Sequence, residues 1–244
     1  MDTEFKERML DLSKKIDIDL SNEEIEQFYS YMNLLLEWNE KINLTSITEK
    51  NDIILKHFID SMSALKYIDE DCKLIDVGTG AGFPGIPIGI LKQKTKITLL
   101  DSLNKRIIFL NEVIKKLDLK NICAIHNRAE DFGRENKEKY DIGISRAVAS
   151  LPTLVEYIIP PVRVGGKCIC MKGAEIDEEI KNAEFAIKEL GGKIFQIEKF
   201  NLPDSNYKRT IIIIEKIKNT PNEYPRRSGL PQKQPLMGKN GKKI

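Results

Sequence analysis

Aromatic side chains are scarce in this chain, at 7% of 244 residues with a single tryptophan, and histidine is scarcer still, present only as His57 and His126. With so few imidazoles, and no suggestively spaced carboxylates, there is no Ser/His/Asp triad and no acid–base pair of the kind that hydrolytic catalysis uses. Long apolar runs are missing as well. No window approaches the roughly 20 uncharged apolar residues that a membrane helix requires, and the opening MDTEFKERML has no signal-peptide core. A cytoplasmic location and no membrane partner are therefore expected. The four cysteines, Cys72, Cys123, Cys168 and Cys170, sit in or beside strand-like runs rather than at the repeated C-x-x-C spacing of a zinc site. They are expected to be buried free thiols, and no metal is expected.

What is present is a globular composition, 41% hydrophobic and 31% charged. The net charge of +2 hides an asymmetry: residues 219–244 carry six Lys/Arg against one Glu, a net +5, which leaves −3 for the rest. That Pro- and Gly-rich tail has few apolar anchors, so it is expected to be partly disordered, and its charge could meet phosphate.

Ser21-Asn-Glu-Glu24 has the form of a capping box, followed by apolar residues at helical spacing (Ile25, Phe28, Tyr29, Met32, Leu35, Leu36). A second helical pattern runs from about 49 to 68. From Lys73 the texture changes to short β-branched runs alternating with amphipathic helices. Strands are expected at 73–78, 96–101, 122–127, 140–145 and 166–172, with helices near 84–93, 103–118, 128–135, 150–161 and 175–190. That alternation implies a mostly parallel sheet. The last two strand patterns, 192–200 and 209–217, are joined by a loop too short for a crossover, which implies an antiparallel pair. The expected organisation is α/β: N-terminal helices (1–70), a seven-stranded Rossmann-like core (71–218) and a basic tail (219–244).

Residues 75–85, IDVGTGAGFPG, can be read in two frames. Gly80, Gly82 and Gly85 fit the G-x-G-x-x-G pattern of dinucleotide sites; Asp76, Gly78, Gly80 and Gly82 fit the pattern of S-adenosylmethionine (AdoMet) sites. Two features of the loop favour the second, and two further segments fit it. Pro84 removes an amide donor that a pyrophosphate would use. Asp76, inside the strand end, would repel pyrophosphate but could accept bonds from an amino-acid moiety, directly or through loop amides. Asp101, at the end of the next strand, suits ribose hydroxyls in either class, while Glu130 and Asp131 after the third strand suit adenine. These last two could instead be acids capping a short helix.

The sequence resembles one family, the bacterial small-subunit ribosomal RNA methyltransferases also called glucose-inhibited division protein B. The stretches that carry the resemblance are WNEKINLTSI (38–47), HFIDS (57–61), DVGTGAGFPGIP (76–87), DSLNKRIIFL (101–110), NRAEDF (127–132), SRAVASL (145–151) and KNTPNEYPRRSGLPQKQPL (218–236). The resemblance implies a class I AdoMet-dependent methyltransferase fold, AdoMet as cofactor, and N7 of a loop guanine in 16S ribosomal RNA, free or in the small subunit, as acceptor. It places cofactor contacts at Gly78, Phe83, Asp101, Ser102, Leu103, Ala129, Glu130 and Arg146. A monomer is expected.

Guanine N7 carries an exposed lone pair, so methylating it needs no deprotonation, which agrees with the missing catalytic base. No catalytic residue is assigned. Arg146, at the carboxyl end of the fourth strand, could bond guanine O6 or a phosphate. His57 and Asp60, one helical turn apart, suit a helix-face hydrogen bond better than catalysis. Trp38 suits burial between helices. Arg226, Arg227 and Lys233, with Tyr224, read either as a phosphate-contacting arm or as a soluble terminus. Other readings of the chain are a methyltransferase acting on tRNA or a small molecule, an NAD-dependent oxidoreductase, and a non-catalytic RNA-binding factor.

Overall fold

The computed structural model describes residues 2–238. Helices α1 (Thr3–Lys14) and α2 (Asn22–Ile42) open the chain. Helix α3 (Lys50–Ile53) then runs through a π-helical turn (Ile54–Ile59) into α4 (Asp60–Met62), followed by a 3₁₀ turn (Leu65–Tyr67). The capping box forms: the Glu24 N–H donates to Ser21 Oγ, and the Ser21 N–H donates to Glu24 Oε2.

The alternating part is β1 (Lys73–Val77), α5 (Gly85–Leu91), β2 (Lys96–Asp101), α6 (Asn104–Lys116), β3 (Ile122–His126), α7 (Ala129–Glu135), β4 (Tyr140–Arg146), α8 (Leu151–Ile158), β5 (Val162–Lys172), α9 (Asp177–Glu189), β6 (Gly192–Asn201) and β7 (Lys208–Lys216), with a short α10 (Leu230–Lys233) beyond it. The sheet order is β3-β2-β1-β4-β5-β7-β6, parallel from β1 through β5, with β7 antiparallel to both its neighbours. The strand order reverses between β1 and β4, and folds of this kind bind ligands outside the carboxyl ends of the strands at that point. Strand β5 begins at Val162, earlier than the apolar pattern predicts, because Val162 already pairs with Tyr140 ahead of an irregularity in β4.

Strand alternation sends successive side chains to opposite faces. On β1, Leu74 joins a core shared with the N-terminal helices, α5 and α6, while Ile75 and Val77 join the core under α8 and α9. Trp38 packs against Phe109, ring centroids 5.8 Å apart, at the edge of the first core.

Two expectations are corrected. Cys123 is exposed, unlike the other three cysteines, because β3 is an edge strand. The segment after β7 is anchored rather than loose: Thr220 is buried and donates to the Leu190 carbonyl, Arg226 pairs with Glu156, and Pro231 is buried. Its polar and backbone groups supply the anchorage that its apolar content lacks. Residues 239–244, with Lys239, Lys242 and Lys243, lie outside the described residues.

Candidate cofactor and acceptor site

Where β1 ends, Gly78, Gly80 and Gly82 all adopt positive φ (71°, 62° and 99°), a conformation that side chains resist. The N–H groups of Gly78 and Thr79 both donate to the Leu100 carbonyl (2.8 and 3.1 Å), tying the loop to β2. Asp101 completes the tie. Its Oδ2 accepts from the Gly80 N–H (2.9 Å) and from Arg106 (3.1 Å), and its Oδ1 accepts from the Leu103 N–H (2.9 Å). A carboxylate oxygen has two lone pairs, so Oδ1 retains room for a ligand hydroxyl.

These groups bound a cavity of about 490 Å³. Of the residues singled out in the sequence, Gly78, Gly80, Phe83, Asp101, Ser102, Ala129, Glu130 and Arg146 line it. Asp76, Gly82 and Leu103 do not. The Asp76 side chain lies on the Leu74 face of β1, behind the wall, where it is fully buried and its Oδ2 accepts from Thr79 Oγ1 (2.7 Å) and the Gly85 N–H (2.9 Å). Its influence on a ligand therefore runs through the loop. Burial raises its pKa to about 7, against the opposing effect of those two hydrogen bonds and of Arg146. Gly82 lies beneath the loop, where a Cβ would come within 2.7 Å of the Tyr31 hydroxyl. Leu103 presents its side chain to solvent and serves Asp101 through its N–H.

Gly85 carries the part of the dinucleotide frame that is real here: a Cβ would lie 2.2 Å from the Leu99 side chain, so glycine lets α5 approach the sheet. The two sequence frames thus share one loop, the earlier glycines facing the cavity and the later one packing the helix.

At the far end, Glu130 is 4% exposed and lines the cavity, whereas Asp131 turns outward to Arg134, as neighbouring positions on a helix must diverge. Tyr157 lines the wall beside Glu130, its pKa pushed up to about 12 by burial and by the charges of Glu130 and Glu156.

At the near end, Arg146 closes a polar cluster built on the π-helical turn. Its Nη1 donates to the Lys56 carbonyl (3.0 Å) and to Asp60 Oδ2 (3.3 Å), and its Nη2 donates to His57 Nδ1 (3.0 Å). His57 and Asp60 therefore meet Arg146, not each other as the sequence suggests; the π turn, a distortion frequent at functional sites, sets both toward it. Arg209 also donates to Asp60 Oδ2 (3.1 Å). The His57 ring stacks on Phe83, centroids 4.4 Å apart and planes 11° from parallel, and the Arg146 guanidinium carbon lies 5.0 Å from the same ring centre. Burial and the Arg146 charge pull the His57 pKa down to about 3. An arginine only donates, so His57 Nδ1 accepts and its single N–H lies on Nε2, 3.0 Å from Thr45 Oγ1.

His57, Arg146, Ala147 and Val148 also border a second cavity, of about 680 Å³, on the other side of the β4–α8 loop. Ala147 has φ +55°, a strained conformation for a residue with a Cβ. Val148 leans over the glycine loop, so a Cβ on Gly78 would lie 2.5 Å from it. Thr45, Arg106, Tyr157, Gly229 and Gln232 were not singled out by the sequence reading, yet all five line the first cavity. Their only signal was membership of, or nearness to, segments that carry the family resemblance.

An open glycine cradle, an acid with a free lone pair beside it and a buried acid at the opposite end fit an amino-acid-bearing adenosine, and with the sheet order they define a class I AdoMet-dependent methyltransferase. Residues 24–211 match the family described as rRNA small subunit methyltransferase G, and the chain belongs to that family. It is 52% identical over 228 residues to the ribosomal RNA small subunit methyltransferase G of Desulforamulus reducens, covering 92% of this chain and 95% of that protein. It is 54% identical over 222 residues to the protein of the same name from Acetivibrio thermocellus, covering 90% and 91%. Among solved structures it resembles TYW2 of M. jannaschii in complex with AdoMet (TM-score 0.52, 17% identity, 66% of this chain and 76% of that one). It also resembles the precorrin-6y C5,15-methyltransferase of Geobacter metallireducens (TM-score 0.50, 15% identity, 72% and 91%). Bound AdoMet supplies an electrophilic methyl group on a sulfonium; the glycine loop, Asp101 and Glu130 are the residues that would hold it. No described helix is long and apolar enough to cross a membrane.

Proposed function

We propose that this chain methylates N7 of a guanine in a loop of 16S ribosomal RNA, with the base entering from the second cavity. The observation that carries the reading is the junction between the two cavities. Four residues border both, and only His57 and Arg146 among them are ionisable. His57 has its Nδ1 filled by Arg146 and its Nε2 held by Thr45, so it is not positioned to take a proton from an acceptor. Asp60, which lines the second cavity, is held by Arg146 and Arg209. An acceptor at this junction must bring its own lone pair, as guanine N7 does.

A donor held by the glycine loop, Asp101 and Glu130 would supply the electrophilic methyl group, and a guanine at the junction would supply the N7 lone pair that takes it. No proton moves. The chain's contribution is alignment, an effect that can reach roughly 7–11 kcal/mol. Arg146 would donate to guanine O6 or to a phosphate. The exposed Arg227 and Lys233 suit phosphate contacts along the RNA.

The test is transfer of labelled methyl from AdoMet to small-subunit particles and to naked rRNA, both from cells lacking this gene, followed by borohydride–aniline treatment, which cleaves RNA at N7-methylguanine. One cleavage in 16S RNA is expected. Incorporation without cleavage would refute N7 as the acceptor atom, and no incorporation would refute the substrate.

A further inference from the structure

One wall of the cofactor cavity comes from outside the sheet and its crossover helices. Gly229 and Gln232, from the segment after β7, line the cavity at the end where Ala129, Glu130 and Tyr157 stand. Two buried carboxylates hold that segment down. Glu156, with no exposed surface, accepts from the Arg226 backbone N–H (2.8 Å), from its Nε (2.9 Å) and from its Nη2 (2.7 Å). The same guanidinium donates to the Gln234 carbonyl (2.8 Å), which closes 226–234 into a compact loop. Glu130 Oε1 accepts from the Gly229 N–H (2.7 Å), while its Oε2 has no partner among the described residues. Gly229 has φ +81° with open space where a Cβ would stand, so the turn itself is what calls for glycine there.

We propose that residues 226–234 belong to the cofactor site: the Gly229 N–H holds Glu130, whose free oxygen selects adenine, and the exposed Gln232 amide supplies a further contact to the base. The proposal rests on the reading of this cavity as the AdoMet site. An ionised carboxylate only accepts, so the free oxygen of Glu130 suits the adenine N6 amino group. An amide both donates and accepts, so Gln232 can serve the acceptor nitrogen N1 or share the N6 donor. Hypoxanthine presents the opposite pattern, a carbonyl at position 6 and an N–H at position 1. It would set its carbonyl against the Glu130 lone pairs, and sites built around buried polar groups reject such mismatches strongly. On this reading Arg226 is a positioning residue and Gln232 a cofactor contact.

The test is calorimetric titration of the full chain with S-adenosyl-L-homocysteine and with S-inosyl-L-homocysteine. The wild-type chain is expected to prefer the adenine ligand by about 100-fold or more. Gln232→Ala should weaken the adenine ligand by about 10-fold, the range of one lost polar contact, with an unaltered thermal midpoint. Glu130→Gln keeps an acceptor for Gly229 and adds a donor for a carbonyl, so it should narrow the preference for adenine. Wild-type affinity for the adenine ligand in Gln232→Ala, or an unchanged preference in Glu130→Gln, would overturn the assignment. A wild-type chain that binds neither ligand would overturn the cofactor reading itself.

Discussion

Nη2 of Arg146 lies 3.0 Å from Nδ1 of His57, and that contact fixes the protonation state of the histidine that borders both cavities. The ring can keep the bond only while it is neutral. In the unfolded chain the same ring takes up a proton near its ordinary value of about 6.5, whereas in the fold burial and Arg146 hold it down to about 3. Between those values the unfolded state binds more protons, so this group's contribution to stability is complete above pH 6.5 and is lost as the pH falls toward 3. Ring NMR should show a neutral Nε2–H tautomer across roughly pH 5 to 8, and the methyl-transfer rate should lack a histidine inflection there. A ring midpoint near 6.5 contradicts the geometry.

Arg146 touches both cavities, so its removal should affect rate and folding separately. Arg146→Ala strands His57 Nδ1 and leaves Asp60 with Arg209 alone, a loss of about 1–3 kcal/mol of stability. Single-turnover transfer should fall at least about 100-fold. Arg146→Lys restores a positive charge without the planar fork, and should recover more stability than rate. Undiminished turnover in the alanine variant would remove Arg146 from the acceptor site.

Asp76 should make the protein less stable as the pH rises. Its folded pKa of about 7 lies above the ordinary 3.8, so the fold retains a proton that the unfolded chain releases. The benefit is complete below about pH 4 and is lost as the pH climbs through about 7, to a total of about 4 kcal/mol. Asp76→Asn, neutral throughout, should gain on the wild type between pH 5 and pH 8 in urea melts, to within that order of magnitude. Identical pH slopes for the two proteins would show that the carboxyl is ionised in the fold.

Arg226 and Arg227 are neighbours with opposite environments. Arg226 neutralises the fully buried Glu156, and its loss leaves an unpaired buried charge, which costs about 3–5 kcal/mol. Arg227 is exposed. Arg227→Ala should leave the melting curve in place, weaken RNA binding and lower the slope of log affinity against log salt by about 1. Arg226→Ala should do the reverse, with a large drop in midpoint. An unchanged salt slope in Arg227→Ala would take that residue off the RNA.

The fold was legible because its signals are local and repeated. The Ser21–Glu24 capping box, the period change at Lys73 and the short loop between β6 and β7 each constrain the chain within a few residues. The glycine loop was legible as a cofactor loop, yet the pattern cannot say which of its members face the ligand; strand alternation at Asp76 and the depth of Gly82 decided that. The tail was read by composition, which records charge but not the burial of Glu156, 70 residues earlier, that captures Arg226. Gln232 reached the cofactor cavity by the same long-range route. His57 and Asp60 were read as a pair on one helix face, and the π turn redirected both to a third residue.

The cofactor cavity is walled on one side by residues 229 and 232, although the strands that frame the rest of it, β1 to β4, end by residue 146. Chains leave the ribosome from the N-terminal end. The sheet can therefore begin to form around an open trough, and the cavity gains its final wall only after β5, β6 and β7 have been made and the chain has doubled back to Glu130. Order of synthesis becomes order of assembly: the cavity that we propose takes the cofactor is complete only once that late segment has emerged.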